Sequence, residues 1–268
     1  MKSVSLVFTL LALIAFGSLA SAQSGTKDIG CLQQLAGGSG NFSYNYCVSG
    51  HGNVTQMETP LGVHHLIAGH ISEGYGLCDQ TTGNEYFDYG DGGVSTTHFW
   101  GTPVVLSTTP SLVIGRTSDD GIWQIRQTFT KSDADSSIRI KMDVMNQTAI
   151  TREALLVRFA DIKVNGGATG NGVTDLFQET LLSASTSDSV RTTPQAPGMQ
   201  LRDAGHGTPT PHVQKVQTGP APCSATANIP TKPFVVTPGS LELVYGEDTP
   251  ITLPANGVKT ATVLYRPF

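Results

Sequence analysis

Histidines, carboxylates and aromatic rings crowd the first hundred residues, and three kinds of chemistry compete for them. His64, His65 and His70 form the densest imidazole group, with Glu58 and Glu73 on either side. Imidazole nitrogens joined by a carboxylate are a donor set for zinc or copper. On a strand, His64 and His70 share one face and His65 takes the other, so only two of the three converge. No pair of histidines brackets a catalytic glutamate, and the alternative is a set of surface or hydrogen-bonded imidazoles. His98, His206 and His212 stand alone.

The run Asp88-Tyr89-Gly90-Asp91-Gly92-Gly93 offers hard oxygen donors on a backbone that glycine lets curve tightly. Asp88 and Asp91 are therefore the candidate ligands of a structural calcium ion, while no cofactor is expected. The run lacks the regular calcium loop with its closing glutamate, and the competing reading is a solvated glycine turn. Gly37-Gly38-Ser39-Gly40 has glycines around a serine but does not sit between a strand and a helix, as a nucleophile elbow must. Glu58, Glu73, Glu85, Glu153 and Glu179 supply carboxylates for glycoside hydrolysis, a chemistry decided by separations in space that sequence does not reveal. No catalytic residue is assigned.

Aromatic residues point to binding. Tyr75, Tyr86, Phe87, Tyr89, Phe99 and Trp100 fall within 26 residues, around two glycine loops. A sugar ring stacks its flat apolar face on such a ring and hydrogen-bonds its hydroxyls to polar neighbours. Glu73, Tyr75, Tyr89 and Trp100 are the candidate ligand-binding residues. The opposing reading places these rings in a core.

The elements that must position these groups are strands. Trp123, Ile125, Gln127 and Phe129 alternate with Gln124, Arg126 and Thr128, and Ile138, Ile140, Met142 and Val144 alternate with Arg139, Lys141 and Asp143. Period two buries one face and wets the other. A longer apolar run, Ala154–Val164, follows with Arg158 inserted, and residues 122–164 read as a three-stranded antiparallel meander. Tyr44–Glu58 reads as a hairpin turning at His51-Gly52-Asn53. Val63–Ile71 is read as a strand. Val173–Ala184 fits a helix or a strand. Thr192–Pro238 holds nine of the fifteen prolines, so about 185–230 reads as irregular loop with at most edge strands.

Compartment and composition narrow the class. Lys2, the apolar run Val4–Leu19 and Ala20-Ser21-Ala22 have the form of a signal peptide over residues 1–22, with no membrane span left after its removal. A secreted or periplasmic protein is expected, with residues 23–40 a flexible N-terminal segment and 41–268 the folded domain. Without Lys2 the formal charge falls from −5 to about −6, and there is no Lys/Arg block to bind nucleic acid or anionic lipid. Cys31, Cys47, Cys78 and Cys223 are even in number, which in an exported chain suggests two disulfides with three possible pairings. Cys31 with Cys47 and Cys78 with Cys223 is the pairing expected.

The expected fold is all-β, a single large antiparallel β-sandwich with long Gly/Pro-rich loops; two closely packed β domains are the alternative. The segment Met142-Asp143-Val144-Met145-Asn146-Gln147-Thr148 resembles the strand-to-turn passage of large β-sandwich modules of exported bacterial proteins. Leu253-Pro254-Ala255-Asn256-Gly257 and the alternation up to Tyr265 are similar to their closing edge strand. The galactose-mutarotase-like supersandwich modules share both features. The resemblance covers about a third of the chain and implies a sandwich without carrying any chemistry. The expected function is non-catalytic binding outside the cytoplasm, with a polysaccharide or copies of the same chain as partner. An extracellular carbohydrate-active enzyme using Asp and Glu residues is the alternative.

Overall fold

A computed structural model describes residues 25–27, 30–62, 64–66, 73–91, 94–160, 171–177, 181–186, 199–206, 211–216, 222–224, 235–236, 240–245 and 250–267. The expected signal peptide and His70 lie outside them.

Strands begin with β1 (Gly25–Lys27), β2 (Cys31–Gly37), β3 (Tyr44–Ser49), β4 (Val54–Glu58), β5 (Glu73–Asp79), β6 (Asn84–Asp91) and β7 (Val94–His98). The middle of the chain gives β8 (Val104–Ser107), β9 (Leu112–Thr117), β10 (Trp123–Ser132), β11 (Ser137–Asn146) and β12 (Arg152–Ala160). Then come β13 (Asn171–Phe177), β14 (Leu181–Thr186), β15 (Met199–His206) and β16 (Pro211–Val216). The last are β17 (Val235–Val236), β18 (Ser240–Tyr245), β19 (Ile251–Leu253) and β20 (Val258–Pro267). Among the described residues there is no α-helix, only short 3-10 turns such as Gly40–Phe42 and Pro222–Ser224.

Three antiparallel sheets result. One runs β1-β7-β6-β5-β12-β18-β16, with β19 also on β12; the second runs β17-β13-β14-β15-β20-β11-β10-β9-β8; the third is β2-β3-β4. All three contribute to one core. It contains Tyr44, Tyr46 and Val48 from the small sheet, Tyr75, Leu77 and Leu156 from the eight-stranded sheet, and Trp123, Phe129, Ile140 and Val263 from the nine-stranded sheet. The alternation in β10 and β11 does what period two requires: Ile125, Phe129, Ile138, Ile140, Met142 and Val144 are buried between layers.

Several expectations are corrected. β10 and β11 pair, but β12 leaves them for the other sheet, where it lies between β5 and β18. Nearly every residue of β12 is buried, so it suits a central position covered on both sides rather than the third place in a meander. The place beside β11 goes to β20, which is interior, between β11 and β15, and not a closing edge strand. The segment 23–40 contains β1 and β2, and Cys31–Cys47 ties β2 to β3. The stretch 185–230, expected as loop with at most edge strands, contains the edge strand β16, the turn at Pro222–Ser224 and β15, which is interior between β14 and β20. Of the stretch 173–184, left open between helix and strand, residues 173–177 lie in β13 and 181–184 in β14.

The second disulfide joins Cys78 to Cys223, 145 residues apart, and holds the turn at Pro222–Ser224 against β5. A Cβ on Gly76 would come within 2.5 Å of Pro222 Cγ, so the glycine is what lets the turn approach.

Candidate functional site

The densest polar group in the described structure lies inside the sandwich. Strand register explains how it forms. Thr97 of β7 is opposite Asp88 of β6, Asp88 opposite Tyr75 of β5, and Tyr75 opposite Arg158 of β12. Residues directly opposite in an antiparallel sheet share a face, so one polar rung crosses four strands on the inner side. Glu73, two residues before Tyr75, takes the same face. The nine-stranded sheet answers with Arg116 of β9, Gln127 of β10 and Tyr265 of β20. Glu73, Tyr75, Asp88, Gln127, Arg158 and Tyr265 have no solvent exposure.

What this rung holds is the tip of the β3–β4 hairpin. Tyr75 Oη donates to the His51 carbonyl (3.0 Å) and Arg158 Nη2 to the Gly52 carbonyl (3.4 Å). The Val54 N–H donates to Glu73 Oε2 (2.7 Å). Asn53 Nδ2 and Thr97 Oγ1 donate to Asp88, whose Oδ2 also lies 2.9 Å from His51 Nδ1. An ionised carboxylate only accepts, so the proton in that contact belongs to His51 Nδ1. Gly52 sits at φ +86, and a Cβ there would meet Gln127 Nε2 at 2.3 Å; the turn fits only because the residue is glycine.

Charges are matched within the group. Arg116 pairs with Asp88, and its remaining donors reach Tyr75 Oη (3.2 Å), Gly101 O (2.9 Å) and Trp100 O (3.2 Å). Arg158 pairs with Glu73 and donates to Gln127 Oε1 (2.6 Å), while Tyr265 Oη donates to Glu73 Oε1 (2.7 Å). Burial raises the Glu73 carboxyl, against the opposing pull of the Arg158 charge and the Tyr265 hydrogen bond. Burial also works upward on Asp88, but hydrogen bonds and charge from His51 and Arg116 outweigh it and hold that carboxyl below its ordinary range. A smaller pairing at the far end of β5 has Arg152 Nη1 (2.6 Å) and Trp123 Nε1 (3.2 Å) both donating to Asp79 Oδ2.

The four candidate sugar-binding residues do not form a binding face. Glu73, Tyr75 and Trp100 point into the core, where Trp100 packs on Tyr75 and Tyr86. Tyr89 lies on the opposite side of the sheet, against Phe87 and Phe159, and is buried there. Bulky apolar rings at inward strand positions gain more from burial than from display. Of the two candidate calcium ligands, Asp88 is paired with the Arg116 guanidinium. Asp91 lies in β6, and its side chain is outside the described residues. Among the described residues no group of three or more His, Cys, Asp or Glu side chains is placed to hold a metal.

His64 pairs with Glu58 at 3.2 Å on the surface, while His65 is buried with Nε2 2.8 Å from the Thr59 carbonyl, so the two imidazoles part. Sequence reasoning did not assign His51, Asn53, Arg116, Gln127, Arg158 and Tyr265 to any site. A signal was present for two of them: Gln127 occupies the buried phase of an alternating strand, and Arg158 interrupts an apolar run. Of the aromatic group only Phe99 is substantially exposed, at 49%. It has φ +54, rare for a bulky side chain, and is held there by the Asp119 N–H donating to its carbonyl (2.9 Å). Its ring lies 4.2 Å from that of His98 and 6.2 Å from that of Tyr86.

No helix among the described residues is long and apolar enough to cross a membrane. No family model matches the chain, and no curated protein matches it in sequence. Among solved structures it is similar to a protein of Escherichia coli K12 provisionally assigned as an aldose 1-epimerase. The likeness has 13% identity over 88% of this chain and 99% of that one, at a TM-score of 0.46. At that identity and TM-score nothing about family or activity follows from the likeness.

Proposed function

We propose that this protein is exported and acts outside the cytoplasm by association, without catalysis, and that its partner is a further copy of itself. The observation that carries this reading is strand β8. It is the last strand of the nine-stranded sheet, and Val104, Val105 and Leu106 are exposed at 55%, 42% and 56%. Adjacent residues of a strand point to opposite faces, so three exposed apolar neighbours mean that neither face of this edge is covered. Uncovered apolar edges favour strand addition. The alternative of a carbohydrate-active enzyme is poorly served by Glu73 and Asp88, which are sealed from solvent and already paired with Arg158 and Arg116.

Native mass of the purified protein across a concentration series tests the reading. Species of at least twice the mass of the mature chain, increasing with concentration, are expected. A monomer at every concentration overturns it.

Carbohydrate binding is the second reading, and Phe99 favours it. The ring is displayed by a backbone conformation that costs energy, and the exposed Asp119 is tied to the same segment.

A further inference from the structure

We infer that His65 is an acid-released latch: protonation of its buried ring frees the segment that returns along β4, at residues 64–66, and withdraws Leu66 from the core. The inference stands apart from the association reading. That segment is held by few contacts. Glu58 and His64 form an isolated bridge, and the His65 N–H donates to the Met57 carbonyl (2.8 Å). The His65 ring adds a further tie, with Nε2 2.8 Å from the Thr59 carbonyl, and Leu66 beside it joins the core.

The surroundings of the ring suit one protonation state. A carbonyl only accepts, so Nε2 carries the proton and Nδ1 is left as a lone pair. His65 has no solvent exposure, and Nδ1 has no hydrogen-bond partner among the described residues. A neutral lone pair left there is a small loss. A second N–H bearing a full charge, sealed from water and without an acceptor, is a large one. Burial accordingly holds the imidazole below its ordinary value of 6.5, against the upward pull of the Thr59 hydrogen bond.

The neighbouring groups do not offset this. His64, largely exposed, acts on the ring by charge in the same downward direction. Glu58 of β4 is engaged elsewhere: Oε1 accepts from Gln56 Nε2 (2.5 Å) and lies 3.2 Å from His64 Nδ1, and Oε2 accepts from the Gly62 N–H (3.4 Å). Ser43, just before β3, brings only a hydroxyl, which accepts from the Leu61 N–H (3.1 Å). The folded ring thus resists a proton that the released segment takes up at 6.5. The latch is intact above 6.5 and yields as pH falls below it, down to the lowered folded value.

Hydrogen exchange of the full chain, followed by mass spectrometry from about pH 7.5 to about pH 5, tests the latch. After correction for the intrinsic rate, opening of residues 57–66 is expected to rise by up to about tenfold per pH unit below 6.5, while the β10–β11 pair stays protected. His65→Gln keeps an amide donor for the Thr59 carbonyl but never charges, and is expected to lose this pH dependence. His64→Gln is expected to keep it. No acid-dependent opening, an equal rise across the whole molecule, a dependence that persists in His65→Gln or one that His64→Gln abolishes overturns the inference. If His65→Gln does not fold, NMR titration of the wild-type His65 ring decides. Protonation below 6.5 accompanied by loosening of residues 57–66 supports the latch, and protonation at or above 6.5 overturns it.

Discussion

Arg158 and Glu73 have no exposed surface, and each is the other's counter-charge. Two ions inside a core are costly to desolvate, but removing only one leaves the other uncompensated, which costs about 3–5 kcal/mol. Arg158→Met and Glu73→Gln are each expected to lower stability on that scale in urea unfolding. The double variant is expected to lose less than the sum of the two by about 0.5–3 kcal/mol, since the surviving charge has gone. Strict additivity would show that the two groups do not stabilise each other. Gln127 and Arg158 were visible in the sequence as polar residues out of place in apolar patterns. Their partners were not, because a cluster that joins residues 52, 73, 127 and 158 exists only after distant strands have taken their register.

At the scale of elements, local periodicity succeeded where pairing was local. The β3–β4 hairpin and the β10–β11 pair follow from alternation and a short turn. The departure of β12 and the interior place of β20 were hidden because alternation identifies a buried face but not the sheet that buries it. Segment 98–101 shows the same limit. Six aromatics looked alike in sequence, yet β5 and β6 bury theirs, and the β9–β10 turn holds Phe99 outward. Ser118 Oγ (2.6 Å) and Tyr86 Oη (2.6 Å) both donate to Asp120, which fixes that turn beneath the ring. If the ring is a sugar platform, Phe99→Ala abolishes retention on a polysaccharide column while leaving native mass unchanged. Equal retention of wild type and variant removes Phe99 from any such site.

Across the whole molecule, the interior charges make stability depend on acid. Asp88 is held below its ordinary value of 3.8 in the folded state, so the unfolded chain takes up its proton first as pH falls. The stabilisation is fully present above 3.8 and is lost as pH drops through the depressed folded value. Asp88→Asn is therefore expected to lower the urea midpoint at neutral pH and to flatten its decline as pH falls through and below 3.8. An unchanged slope would place the acid sensitivity on other carboxylates, such as Asp120 and Asp143, which are also held low.

One oxygen of Glu73 accepts from Val54, and the other accepts from Tyr265, 192 residues further along. Synthesis proceeds from the N-terminus, so the β3–β4 hairpin is made well before the tyrosine that shares its carboxylate. Until β20 settles between β11 and β15, that carboxylate holds the hairpin without its Tyr265 donor, so an early turn is completed by a strand made much later.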